Sequence, residues 1–209
     1  HTGFMPWTDF DYLFGRGGTP PTADERAWYS RFRDRIVLFG DAAGAAVLRA
    51  GEGERGLLGF RLHSDGTDFQ DLCVPSVGFA QRPYVTARDL EEGRHIPEMN
   101  GRAVFKMAVT RMPQAVREVC ADHGVRVEDI DLLIAHQANL RINEAVQKAL
   151  GLPPEKAFNN IQRYGNTTAA TIPIALHEAR ERGLVSAGKL ICFTGLGAGF
   201  HWGAALMRA

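Results

Sequence analysis

Along the first 34 residues the apolar positions keep no clean period, and Gly15-Arg16-Gly17-Gly18-Thr19-Pro20-Pro21 has the composition of a turn or loop. Two short apolar runs follow. Ile36 to Phe39 and Ala45 to Leu48 flank Gly40-Asp41-Ala42-Ala43-Gly44 and predict two buried strands around a turn. Leu57 to Leu62 predicts a further strand, and a polar, Pro-rich stretch then runs to Pro97. Across 99–122 the pattern changes period: Val104, Phe105, Ala108, Val109, Met112, Val116 and Val119 recur at three and four, as one buried helix face requires. Pro113 is expected to bend this helix and Gly124 to stop it. Strand and helix patterns then alternate: a strand over Ile130 to Ala135, a helix over Leu140 to Leu150, a short strand near Phe158 and a helix from Thr167 to Arg182. Leu190 to Thr194 and Trp202 to Met207 close the chain as two strands, whose short Gly-rich link predicts an antiparallel pair. The alternation predicts a layered α/β fold.

Composition narrows the function class. At 209 residues and 45% hydrophobic content the chain can bury a substantial core in one or two domains. Equal numbers of acidic and basic residues, 24 of each, give no electrostatic case for nucleic acid or an anionic membrane as the main partner. No apolar run approaches the roughly 18–20 residues that span a bilayer, and no secretory signal is visible. Cys73, Cys120 and Cys192 are too few and too scattered for a disulfide framework or a zinc site. Free thiols in odd number fit a reducing cytoplasm. None of the three sits on a strand-to-helix elbow, so none is expected to be a nucleophile.

The chemistry concentrates late in the chain. His136 follows the apolar run Leu132-Leu133-Ile134-Ala135 directly, which places it at the exit of a buried strand. Asn166 opens the small-residue stretch Gly165-Asn166-Thr167-Thr168-Ala169-Ala170, where it can also serve as a helix cap. Two neutral hydrogen-bond donors brought together at strand ends can hold an oxygen that gains negative charge. Donors aimed in advance in this way often contribute more to catalysis than any other single effect.

His136 to Ile142 (HQANLRI), Gly165 to Ala170 (GNTTAA), Gly199 to Gly203 (GFHWG) and Phe39 to Leu48 (FGDAAGAAVL) resemble, in order and spacing, motifs of β-ketoacyl-acyl-carrier-protein synthase III. The likeness covers about residues 35–209. It implies a thiolase-like layered α/β/α fold: the C-terminal half from residue 55 onward, and the end of the N-terminal half over 1–54 with an insertion at 1–34. It also implies an acyltransferase that condenses an acyl-CoA primer with malonyl-acyl-carrier protein, losing carbon dioxide. His136 and Asn166 are then the donors to the malonyl thioester oxygen, and the Ala198 backbone N–H forms part of an oxyanion hole. Lys106, Arg141 and Lys148 face an acidic carrier protein, and Asn139 contacts the pantetheine arm. No metal or redox cofactor is implied, and the partner is a second copy in a homodimer. The family's nucleophilic cysteine lies further upstream than this numbering reaches, so it is expected on a missing segment or a separate chain.

Alanine at 198 and histidine at 201 depart from the family's usual glycine and small polar residue. Gly195 to Gly203 is glycine-rich but joins two strands, which excludes a nucleotide-binding loop. His177-Glu178 lacks the second histidine of a zinc-protease motif, and the neighbours His63, Ser64 and Asp65 cannot form a hydrolase triad with one another. Three rivals remain: acyl transfer or condensation in secondary metabolism, head-to-head condensation of long acyl chains, and a non-catalytic subunit.

Overall fold

The computed structural model describes residues 9–209; the first part of the expected 1–34 insertion lies outside the described residues. Three short helices come first: α1 (Phe10–Leu13), α2 (Ala23–Ser30) and α3 (Arg33–Ile36). Strand β1 (Gly56–Ser64) is followed by β2 (Leu72–Cys73), α4 (Ala87–Glu92), β3 (Glu98–Met99) and the long α5 (Gly101–Asp122). Then come β4 (Leu132–Ala135), α6 (Leu140–Ala149), β5 (Ala157–Phe158), α7 (Ile161–Tyr164), α8 (Thr171–Glu181), β6 (Leu190–Gly197) and β7 (His201–Arg208).

The main sheet has the order β1-β7-β6-β4-β5. β4 runs parallel to β5 and β6, while β7 is antiparallel to both β6 and β1. A central parallel strand is covered on both faces, and all of β4 is buried. Its side chains alternate: Leu133 and Ala135 join the core under α5 and α6, whereas Leu132 and Ile134 join the core under α8. On α5, Val104, Ala108, Met112, Val116 and Val119 are buried as the sequence pattern predicts, joined by Ala115, whereas Phe105 is exposed and Val109 half-buried, and the helix runs uninterrupted through Pro113. Ala175 and Ala179 let α8 approach the opposite face closely. Along β1 the apolar surface is open: Leu57, Phe60 and Leu62 are exposed.

Three expectations need correction. Ile36 to Phe39 is not a strand: Ile36 ends α3, and only Phe39 makes a single parallel bridge, to Asn166. Ala45 to Leu48 has no regular structure, and Val47 and Leu48 are 97% and 86% exposed. A strand needs a neighbour to take its backbone groups, and no strand of the described residues runs beside either segment. The helix expected from Thr167 begins at Thr171, because a 3₁₀ turn over Thr168–Ala170 precedes it. The polar stretch before Pro97 also contains α4, started by a reciprocal cap between Thr86 and Asp89.

Candidate functional site

β4 delivers His136 to the site. The His136 backbone N–H donates to the Thr194 carbonyl at 2.8 Å, extending the β4–β6 ladder by one residue. Opposite, Gly195 makes room: a Cβ there would come within 3.3 Å of the His136 Cβ. Gln137, 1% exposed, ties the strand end down. Its Nε2 donates to the carbonyls of Ala135 (2.8 Å) and Phe158 (3.3 Å), and its Oε1 accepts the backbone N–H groups of Asn160 (3.1 Å) and Ile161 (3.3 Å). Beneath it, buried Glu178 accepts from Asn160 Nδ2 at 3.0 Å and from Tyr164 Oη and Arg163 Nη1, each at 2.6 Å. The tyrosine hydroxyl first, then Asn160 and the arginines, hold the Glu178 carboxyl below its usual range against the opposing effect of burial.

Asn166 reaches the same place from the other side. Its backbone N–H donates to the Leu38 carbonyl at 3.2 Å, and its own carbonyl accepts from Gly40 N–H at 2.9 Å. Its side-chain Oδ1 accepts the Thr168 N–H at 2.8 Å, a local turn that occupies the oxygen end of the amide. The NH₂ end is the part left for a ligand. Asn166 does not cap the helix as expected: its side chain closes a turn onto Thr168, and α8 starts after Ala170 without a side-chain cap.

His136 and Asn166 both line one cavity of about 680 Å³. Val104, Phe105, Ala108 and Met112 of α5 form an apolar wall, with Leu72, Cys73 and Met99 beside it. Ala138, Asn139 and Ile142 close another side, and Gly195 to Ala198 close a third. Burial pushes the His136 imidazolium to a pKa of about 4, so the ring is neutral at physiological pH. Its Nδ1 lies 2.6 Å from Thr171 Oγ1. A neutral imidazole and a carboxamide on an apolar cavity can stabilise a developing oxyanion without a full charge.

The remaining residues named from sequence fall in two groups. Ala198 and Asn139 line the same cavity; Asn139 also caps α6, its Oδ1 accepting the Arg141 N–H at 2.9 Å. Lys106 on α5 and Arg141 and Lys148 on α6 are exposed and outside the cavity lining. Burial pushes the Cys120 thiol up to about 11 and raises Cys192 further, and Cys73 is raised as well. A raised thiol pKa disfavours the thiolate nucleophile. Sequence reasoning missed Gln137's four bonds, the Glu178 cluster and the Thr171 contact with His136; apart from the Gln137 bond to Ala135, these hydrogen bonds join residues 14 to 35 positions apart. Among the described residues no cluster of His, Cys, Asp and Glu has the grouping of a metal site.

A mixed sheet between helical layers, with a histidine at a strand end and an asparagine on a loop facing one apolar cavity, is the C-terminal arrangement of a thiolase-fold protein. The comparisons with known proteins name the family within that class. Residues 120–209 match the model of the 3-oxoacyl-[acyl-carrier-protein] synthase III C terminal, and residues 26–66 match that of 3-oxoacyl-[acyl-carrier-protein] synthase III. The β-ketoacyl-[acyl-carrier-protein] synthase III of Acaryochloris marina is 45% identical over 177 residues, covering 84% of this chain and 53% of that protein. The crystal structure of the Aquifex aeolicus enzyme of that name superposes with a TM-score of 0.74 at 41% identity, over 85% of this chain and 52% of that one. The Thermus thermophilus structure gives 0.75 at 39%, over 85% and 53%. The chain belongs to the β-ketoacyl-[acyl-carrier-protein] synthase III family, and it spans about half the length of the relatives it matches.

Proposed function

We propose that the complete enzyme condenses an acyl primer, delivered as its CoA thioester, with malonyl-acyl-carrier protein to give a 3-oxoacyl-carrier protein. The observation that carries this reading is the pair His136 and Asn166 on one cavity, each with its far polar atom already bonded. The malonyl carboxylate leaves as carbon dioxide, and the electrons of the broken C–C bond pass to the thioester oxygen. His136 Nε2–H and Asn166 Nδ2–H hold that enolate. The enolate carbon then attacks an acyl group carried on a cysteine, the Ala198 N–H takes the tetrahedral oxyanion, and collapse expels the thiolate. The raised thiol pKa values here support a nucleophile outside this numbering, on another segment or another chain.

Exposed Lys106, Arg141 and Lys148 suit a carrier protein's acidic face, with attraction that is felt mostly in association. Asn139 lines the cavity, which supports a contact with the pantetheine arm. The chemistry calls for no metal or redox cofactor. We place the two-part division near residue 54, the working form as a homodimer and the location as the cytoplasm. No helix among the described residues is long and apolar enough to cross a membrane.

Intact mass spectrometry of the purified protein with all co-purifying chains, after incubation with acyl-CoA, tests the reading. An acyl adduct that malonyl-carrier protein discharges is expected. A sample containing every chain that forms no adduct with any acyl-CoA would contradict it.

A further inference from the structure

Thr171, the first residue of α8, is 2% exposed and lies behind the His136 ring. Its Oγ1 is 2.6 Å from His136 Nδ1 and 3.0 Å from the Thr168 carbonyl oxygen. A hydroxyl has one hydrogen to give, so it donates to one of these and not the other. A hydroxyl that donates to Thr168 would accept a hydrogen from Nδ1, whereas one that donates to Nδ1 leaves the ring hydrogen on Nε2, and the role of His136 as a donor to substrate selects the second. The Thr168 carbonyl already accepts the backbone N–H of Thr171, so it does not depend on the hydroxyl.

We propose that Thr171 is a positioning residue for His136: its hydroxyl donates to Nδ1 and thereby fixes the ring in the tautomer that carries its hydrogen on Nε2. The inference rests on the reading that His136 is a donor to substrate. A neutral imidazole has one ring hydrogen. If Thr171 accepted from Nδ1 instead, a lone pair would face the cavity and repel an enolate oxygen. The same short turn also orients the second donor, because Asn166 Oδ1 accepts the N–H of Thr168 three residues before Thr171. One turn therefore sets the direction of both donors, through Thr168 on one side and Thr171 on the other.

Histidine-labelled NMR on the complete enzyme tests this, with the His136 signals assigned by their loss in His136→Gln. The wild-type ring is expected to carry its hydrogen on Nε2 alone, with Nδ1 as a hydrogen-bond acceptor. Thr171→Val, nearly the same shape without the hydroxyl, should abolish the Nδ1 acceptor signature. It should also lower kcat for malonyl decarboxylation about 10-fold with little change in KM. Thr171→Ser should restore both, which a purely packing role for the threonine would not predict. A wild-type ring with its hydrogen on Nδ1 would overturn the proposal, as would Thr171→Val with wild-type ring signals and rate. Wild-type enzyme that shows the Nε2–H signature but never decarboxylates malonyl thioesters would sink the functional reading and leave the tautomer assignment standing.

Discussion

Two segments expected from their apolar residues to be buried strands, Leu132 to Ala135 and the stretch from Leu38 to Leu48, meet the cavity at His136 and Asn166, and they fold in opposite ways. Leu132 to Ala135 is a fully buried strand held on both sides, and it ends at His136. Leu38 to Gly40 meets Asn166 through two backbone hydrogen bonds, and the apolar residues just beyond it, Val47 and Leu48, lie open to solvent. An apolar run records that a segment is to be covered; it does not carry the partner that covers it. His136 thus rests on a rigid sheet, whereas Asn166 rests on a short contact between two loops.

The largest effect separates the two runs by stability. Ile134→Ala should cost about 2–5 kcal/mol, as large-to-small changes at sealed positions do, whereas Val47→Ala should cost less than about 0.5 kcal/mol. Urea denaturation of this chain reads both. Equal losses would mean that Val47 is packed and that the two runs do not differ.

Next comes acid. The folded His136 keeps a pKa of about 4 against 6.5 for an ordinary histidine. The unfolded chain therefore takes up a proton first as pH falls, and stability that is full above pH 6.5 drains away between 6.5 and 4. The shift corresponds to a loss on the order of 3 kcal/mol. Denaturation midpoints for wild type and His136→Gln should converge on acidification by that amount, and parallel curves would show that His136 titrates normally.

The smallest effect addresses the weaker side. A Cβ on Gly40 would collide with the Tyr164 carbonyl oxygen. Gly40→Ala should loosen the Leu38–Gly40 contact with Asn166, cutting condensation about 10-fold while costing about 1–2 kcal/mol of stability. An unchanged rate would show that Asn166 needs no support from this segment.

These contrasts explain what the sequence made legible. The helix over α5, the strand before His136 and the antiparallel closing pair were readable because each depends on local periodicity or a short link. The pairing of His136 with Asn166 came from motifs and was then placed on one cavity by the fold. The strands expected at Ile36 to Phe39 and Ala45 to Leu48 did not form, since a ladder partner is not encoded in the run itself. The late start of α8 was hidden because Asn166, read as a helix cap, closes a turn onto Thr168 instead. Gln137 and Thr171 were overlooked for a related reason: their roles depend on groups brought together across 24 and 35 residues. The start of α4 left a local trace in Thr86 and Asp89, three apart, which a closer reading of the polar stretch would have found.

The most direct measurement is of the two half-reactions in His136→Ala within the complete enzyme: acyl transfer from acyl-CoA to the cysteine, and decarboxylation of malonyl-carrier protein. If neutral His136 serves as an enolate donor, decarboxylation should fall about 100- to 1000-fold while acylation stays within a few-fold of wild type. Decarboxylation at the wild-type rate would contradict the account.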